Sequence, residues 1–315
     1  MNVRRPHISG AALAAVAVLG IGSLSACSTD SAAADGRFDV VASFYPMQFL
    51  AERIGGDHVH VTTLTEPGQE PHELELSLRQ RAELEESDAA LYLSGLQPSV
   101  DEAIDQAGLK TKIDAAHLTR LEDHGDVEHD HGGEEHPEEE EHSLDPHVWL
   151  DPVKYAEIAE GVGTAFAKAD PDHAADYRKN TDALVDRLHA LDTDFRDGLK
   201  NTKTKVFFTN HASFGYFAER YGLTQEAISG VDPESEPSPA RIRELREEAR
   251  ADGVTTVFYE TLVSGKTAKT LADDAGLRTD VLDPLEGLTD RSKGDDYFSV
   301  MEANLTALKK ALGAR

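Results

Sequence analysis

From Phe38 onward, short apolar runs alternate with stretches of helical spacing. Val40 to Phe44 (VVASF) is an apolar run of strand length. From Pro46 the spacing becomes that of a helix, which stops at Gly55-Gly56. Val59 to Leu64 alternates as a strand, Leu78 to Glu86 reads as a helix, and Ala89 to Leu93 (AALYL) as another buried strand. Val148-Trp149-Leu150 is a short apolar segment, and helix resumes at Pro152.

A longer period begins at Asp170-Pro171, an N-cap and first-turn pair. Tyr177, Leu184, Leu188, Leu191, Phe195 and Leu199 then share one helical face. About 27 residues at roughly 1.5 Å each predict a rod of about 40 Å, long enough to serve as a rigid connector. After it the alternation restarts. Strands are predicted at Val206 to Thr209, Val254 to Tyr259 and Thr279 to Leu282. Helices are predicted at Ala212 to Tyr221, from Ser238-Pro239 to Gly253, at Thr267 to Ala275 and at Tyr297 to Leu312. The fold class expected is α/β: two lobes with mainly parallel sheets flanked by helices, joined by one long rigid helix. Residues 37–169 form the first lobe, 170–200 the linker helix and 201–315 the second lobe.

The N-terminus reads as targeting sequence. Arg4 and Arg5 precede an apolar stretch, Ala11 to Leu24, that is short for a membrane span. It ends in Leu24-Ser25-Ala26-Cys27, which resembles the lipobox of bacterial lipoproteins, and Cys27 is the only cysteine. Residues 1–26 are expected to be a lipoprotein signal peptide, Cys27 the lipidation site that anchors the chain to a membrane, and 27–36 a tether. The formal charge is -28. Such an acidic excess repels phosphate backbones and argues against nucleic-acid binding.

Charge also marks the chemistry. Glu122 to His142 carries His124, His129, His131, His136 and His142 among eleven acidic residues, with no Lys or Arg. Imidazole with carboxylate suits borderline divalent metals, zinc above all. The tract cannot bury apolar surface, so a mobile loop (122–142) that gathers metal weakly is expected. Four further candidates lie where strands give way to loops: His72 in PGQEPH, His147 in DPHVWLD, His211 in TNH and Asp283 in LDPL. Ligands of open α/β sheets sit at the carboxyl ends of strands, so the four could converge on one cleft. Three imidazoles and one carboxylate would satisfy a tetrahedral zinc ion, with water as the alternative to Asp283. Glu260, after the Val254 strand, and Glu70, beside His72, are either partners that orient a ligand imidazole or structural carboxylates. His58 and His60 read as exposed histidines of a strand.

These motifs resemble the metal-binding lipoproteins of bacterial zinc and manganese ABC importers, the cluster A-I solute-binding proteins. The resemblance runs from about Phe38 to Leu312. It rests on DPHVWLD, Pro71-His72, TNHASFGYFAERYG, VFYETLVSGKTAKTLADDAG, VLDPLEGL and the stretch from Asp296. It implies His72, His147, His211 and Asp283 as metal ligands and an ABC permease as partner. It also implies an extracytoplasmic protein, lipid-anchored to the outer face of the cytoplasmic membrane and acting as a monomer. His at position 211, where manganese members tend to carry a carboxylate, and the His-rich loop mark the zinc type, with Zn2+ expected over Mn2+. The alternatives are a manganese-binding homologue and a surface adhesin with a structural metal site. An enzyme is not expected: His72-Glu73 begins an HExxH pattern, but residue 76 is Leu.

Overall fold

The alternation read from the apolar runs is realised as two parallel sheets, in a computed structural model that describes residues 36–124 and 144–314. The first lobe contains β1 (Phe38–Ala42), α1 (Tyr45–Gly55), β2 (Val59–Thr63), α2 (Leu78–Glu86), β3 (Ala89–Tyr92), α3 (Pro98–Gln106) and β4 (Thr111–Asp114). Two helices follow, α4 (Pro152–Ala169) and α5 (Ala174–Leu199). The second lobe contains β5 (Val206–Thr209), α6 (Gly215–Tyr221), β6 (Thr224–Ala227), α7 (Pro239–Ala251), β7 (Thr256–Tyr259), α8 (Lys266–Ala275), β8 (Arg278–Val281) and α9 (Tyr297–Leu312). The sheets have strand orders β2-β1-β3-β4 and β6-β5-β7-β8, the same winding used twice. All pairs are parallel, and the register aligns Ala42 with Thr63, Thr209 with Ala227 and Tyr259 with Val281. The loops that leave each sheet therefore leave from one edge, and this is where the candidate ligands lie.

Local chemistry sets the boundaries. Pro46 opens α1, which ends where Gly56 takes a φ of 56°, a conformation open to glycine. Ser77 and Gln80 form a reciprocal capping box on α2, and Asp151, Ser238 and Asp296 accept backbone N–H bonds at the starts of α4, α7 and α9. The long helix begins three residues later than expected. Pro171–His173 form a separate short turn, tied to the helix by Asp170, which accepts from His173 and Tyr177. The helix predicted from Ala212 starts at Gly215, because the N–H groups of Ala212 and Ser213 donate to Gly230 and His211 instead.

At 26 residues, α5 is about 39 Å long. Its predicted face is buried throughout. It packs against α4 and α1 at one end and against α6 and α9 toward the other, so it backs both lobes. The α4–α5 contact is close: a Cβ on Gly163 would lie 2.1 Å from Thr181 Oγ1. One apolar cluster runs through both lobes, with an aromatic seam beneath the cleft, and each lobe has a further cluster of its own on the far face of its sheet. Phe44 meets Trp149 edge-on at 5.0 Å, and Tyr297 of α9 packs against Tyr155 at 4.8 Å and Phe49 at 5.4 Å. The polar tips are satisfied: Trp149 Nε1 donates to Pro284 O (2.7 Å) and Tyr297 Oη to Trp149 O (2.8 Å). No helix among the described residues is long and apolar enough to cross a membrane.

The close helix pair generates a stability prediction. Gly163→Val should lower the unfolding free energy by about 1–3 kcal/mol, the usual cost of overpacking, seen as a lower urea midpoint at unchanged slope. An unchanged midpoint would mean that α4 and α5 can separate at no cost.

Candidate metal centre

Four strand-end loops meet at the cleft. His72 follows β2, and Glu70 fixes its loop by accepting from the backbone N–H groups of His72 (3.1 Å) and Glu73 (3.3 Å). His147 sits in a tight turn in which Asp145 Oδ1 accepts from its backbone N–H at 2.9 Å. The buried Val148–Leu150 segment then leads into α4. His211 follows β5, its carbonyl held by Thr209 Oγ1 (2.8 Å) and Gln225 Nε2 (2.9 Å). Glu286 follows β8.

The structure brings His72, His147 and His211 together as expected, but the carboxylate beside them belongs to Glu286 and not to Asp283. Asp283 is occupied elsewhere. Its Oδ1 accepts from Leu285 N (2.9 Å), and its Oδ2 from Thr261 Oγ1 (3.1 Å) and Ser292 Oγ (2.9 Å). Asn304 brackets its backbone on both sides. Asp283 thus builds the turn whose far end presents Glu286. The turn itself depends on Leu285, buried at a φ of 59°, the one non-glycine residue with positive φ among the described residues. That reversal, invisible to strand-end reasoning, is what turns Glu286 toward the three histidines; in the sequence it shows only as a second acid in VLDPLEGL.

The geometry of the cluster is narrow. Glu286 Oε1 lies 3.1 Å from His211 Nε2, 3.2 Å from His147 Nε2 and 3.5 Å from His72 Nε2. The Nε2 atoms of His147 and His211 are 3.4 Å apart. Donors about 2.0–2.1 Å from a tetrahedral zinc ion are separated by about 3.3–3.4 Å, so these four separations are close to the edge lengths of such a tetrahedron. The side chains of His147, His211 and Glu286 are fully buried, and only His72, at 10%, touches solvent. Glu286 Oε2 and His72 Nε2 are buried without a hydrogen-bond partner, an arrangement a bound cation would relieve.

A second layer aims the imidazoles. Asp145 Oδ1 is 2.8 Å from His147 Nδ1, and Glu260 Oε1 is 2.6 Å from His211 Nδ1. A carboxylate only accepts, so each Nδ1 carries the proton and each Nε2 faces the centre. Of the two carboxylates whose role the sequence left open, Glu260 therefore contacts an imidazole, whereas Glu70 contacts backbone. Burial raises the carboxyl pKa of Glu70 and also that of Asp283. Burial pushes Asp145 up too, but bonds from His124 and His147 outweigh it and hold Asp145 at about 2. Burial pushes His147 and His211 down, yet the carboxylates around them prevail: His147 is raised by Asp145 and Glu286, and His211 well above its usual value by Glu260 and Glu286. Glu286, which burial would raise, is held well below the usual carboxylate range by His211 and His147.

Of the His-rich tract, His124 is described, held by Asp145 Oδ2 at 2.8 Å and Glu219 Oε2 at 3.0 Å. His129, His131, His136 and His142 lie outside the described residues, as do Cys27 and the N-terminal segment. His58 falls in a turn before β2, paired with Asp176 and stacked on His173, away from the centre.

Comparison with known proteins agrees with this architecture. The zinc-binding lipoprotein AdcA of Streptococcus pneumoniae is 38% identical over 297 residues, covering 91% of this chain and 58% of AdcA, so the chain spans little more than half that relative's length. The high-affinity zinc uptake system protein ZnuA of Bacillus subtilis is 34% identical over 300 residues, covering 92% of this chain and 93% of the relative. The Zn(II)-bound ZnuA-like domain of Streptococcus pneumoniae AdcA superposes with a TM-score of 0.72 at 35% identity, over 88% of this chain and 99% of that one. A family model described as zinc-uptake complex component A, periplasmic (ZnuA), matches residues 40–311, and the chain belongs to that family.

Proposed function

We propose that the protein captures Zn2+ outside the cytoplasm and delivers it to an ABC permease for import, with His72, His147, His211 and Glu286 as the ligands. The observation that carries this reading is the set of three Nε2 atoms around one carboxylate oxygen, spaced 3.1–3.5 Å from it. Three nitrogens and one oxygen favour zinc over the harder manganese. Four protein ligands fill a tetrahedron and leave no position for an activated water, which suits binding and handover rather than hydrolysis. The B. subtilis relative, matched over nearly its whole length, is named for high-affinity zinc uptake. Cys27 carries the lipid anchor in this reading, and the His-rich tract collects zinc for the buried centre. Because His72 and His147 come from one lobe and His211 and Glu286 from the other, release to the permease requires the lobes to part.

Four outcomes follow. In chelator-competition titrations, Glu260→Gln should weaken zinc binding roughly 10–100-fold, the usual cost of losing an outer partner. Glu286→Ala should cost more than that. Asp283→Ala should cost less affinity than Glu286→Ala, but about 1–3 kcal/mol of stability from its stranded donors; the opposite order would return Asp283 to the ligands. Because the surrounding carboxylates raise the pKa of His147 and, more strongly, of His211, protons compete with zinc for these imidazoles, and affinity should fall as pH is lowered. Calorimetry at pH 7 in buffers of different ionisation enthalpy should show proton release on binding, and a buffer-independent enthalpy would contradict it.

A further inference from the structure

Beyond the buried centre, a second group of metal-ligating side chains crosses the cleft: Glu122, His124 and Glu219 each offer a donor atom within 4.8 Å of the others. Glu122 and His124 belong to the segment after β4, and Glu219 to α6 of the opposite lobe. Their setting differs from that of an ordinary surface cluster. His124 keeps only 18% of its side chain exposed, and its ring packs edge-on against Tyr216 at 4.2 Å. Its Nδ1 lies 2.8 Å from Asp145 Oδ2, a carboxylate that is itself 2% exposed. Asp145 can only accept, so it fixes the proton on Nδ1 and leaves Nε2 facing Glu219 Oε2 at 3.0 Å. This is the carboxylate–histidine–metal arrangement of the buried centre, made by the other oxygen of the same aspartate.

We propose that Glu122, His124 and Glu219 form a second, solvent-facing site for a borderline divalent cation such as zinc, clasping the two lobes beside the buried centre. One nitrogen and two carboxylate oxygens suit zinc or cobalt, with water filling the remaining position. Lys154 takes Glu122 Oε1 at 2.9 Å, which leaves Oε2 for the cation and makes this the weaker site. A cavity of about 520 Å3 opens on His124 and Glu219, so a hydrated cation can reach them; its other acids, Glu226, Glu244 and Glu248, are paired with Arg241. Tyr216 of α6 already joins the same segments, accepting from Glu122 N (2.8 Å) and donating to Asp145 O (2.8 Å), so the clasp would tighten an existing contact. The site uses none of the four buried ligands; because Glu122 and His124 open the tract assigned above to zinc collection, it deepens that part of the proposed function.

The test uses the full chain with His129, His131, His136 and His142 changed to Asn, which removes the other histidines of the tract. Zn2+ is titrated against a chelator, and Co2+ is followed by its visible absorption. Two equivalents are expected, one tight and one weaker. Glu219→Gln in this background should weaken the second equivalent about tenfold or more and leave the first in place, and His124→Ala should also lose the second. A single equivalent in the background, or a second one that survives Glu219→Gln, overturns the proposal, as does loss of both equivalents together. Adding His211→Ala should remove the tight equivalent and spare the weak one. If the tight equivalent persists, the buried ligand assignment fails while the clasp stands.

Discussion

Glu286 is a carboxylate without solvent access, and its negative charge is what the rest of the molecule has to accommodate. An isolated buried ion would cost more than the whole margin of stability of a folded protein. Here three imidazoles surround one of its oxygens, drawn from loops far apart in the chain. Only His211 comes from the lobe of Glu286 itself; His72 and His147 are supplied by the other. The same constraint makes the cluster able to exchange charge. A cation at that point would meet the same carboxylate oxygen and the same Nε2 atoms.

Everything outside that centre limits how far its donors can stray. Asp145 and Glu260 fix two imidazoles from behind, and the parallel registers align the strand ends from which the loops depart. Below them the Phe44–Trp149 and Tyr155–Tyr297 contacts form a dry floor shared by both lobes, and α5 runs the length of the back. A hinge in such a molecule cannot be a floppy linker. Any parting of the lobes has to work against an apolar seam, so the energy to open the site must come from outside it.

Much of this was legible in the chain because strong periodicity and burial coincide. The face of α5 could be read from Tyr177, Leu184, Leu188, Leu191, Phe195 and Leu199, all of them buried. His211 could be read because it stands just past the apolar strand β5, and His72 and His147 because of the PGQEPH and DPHVWLD segments that carry them. The expected sequence pattern failed where side-chain character and position part company. Strands β4 (TKID) and β6 (TQEA) lie at sheet edges, half exposed, and carry no apolar alternation. The fourth candidate ligand turned on a single left-handed leucine, which swaps the outlook of two acids three residues apart. A residue's place after a strand identifies it as able to reach the cleft; hydrogen bonds decide whether it is free to do so.

The placement of Trp149 has one more consequence. It is the only tryptophan in the chain, its ring lies 5.2 Å from that of His147, and its N–H bonds to Pro284 in the turn that presents Glu286. Indole emission responds to nearby charge and to the strength of its hydrogen bond. The molecule therefore carries its own optical gauge, one fluorophore touching His147 on one side of the cleft and the turn that leads to Glu286 on the other, and its glow should register both the arrival of an ion and any parting of the walls around it.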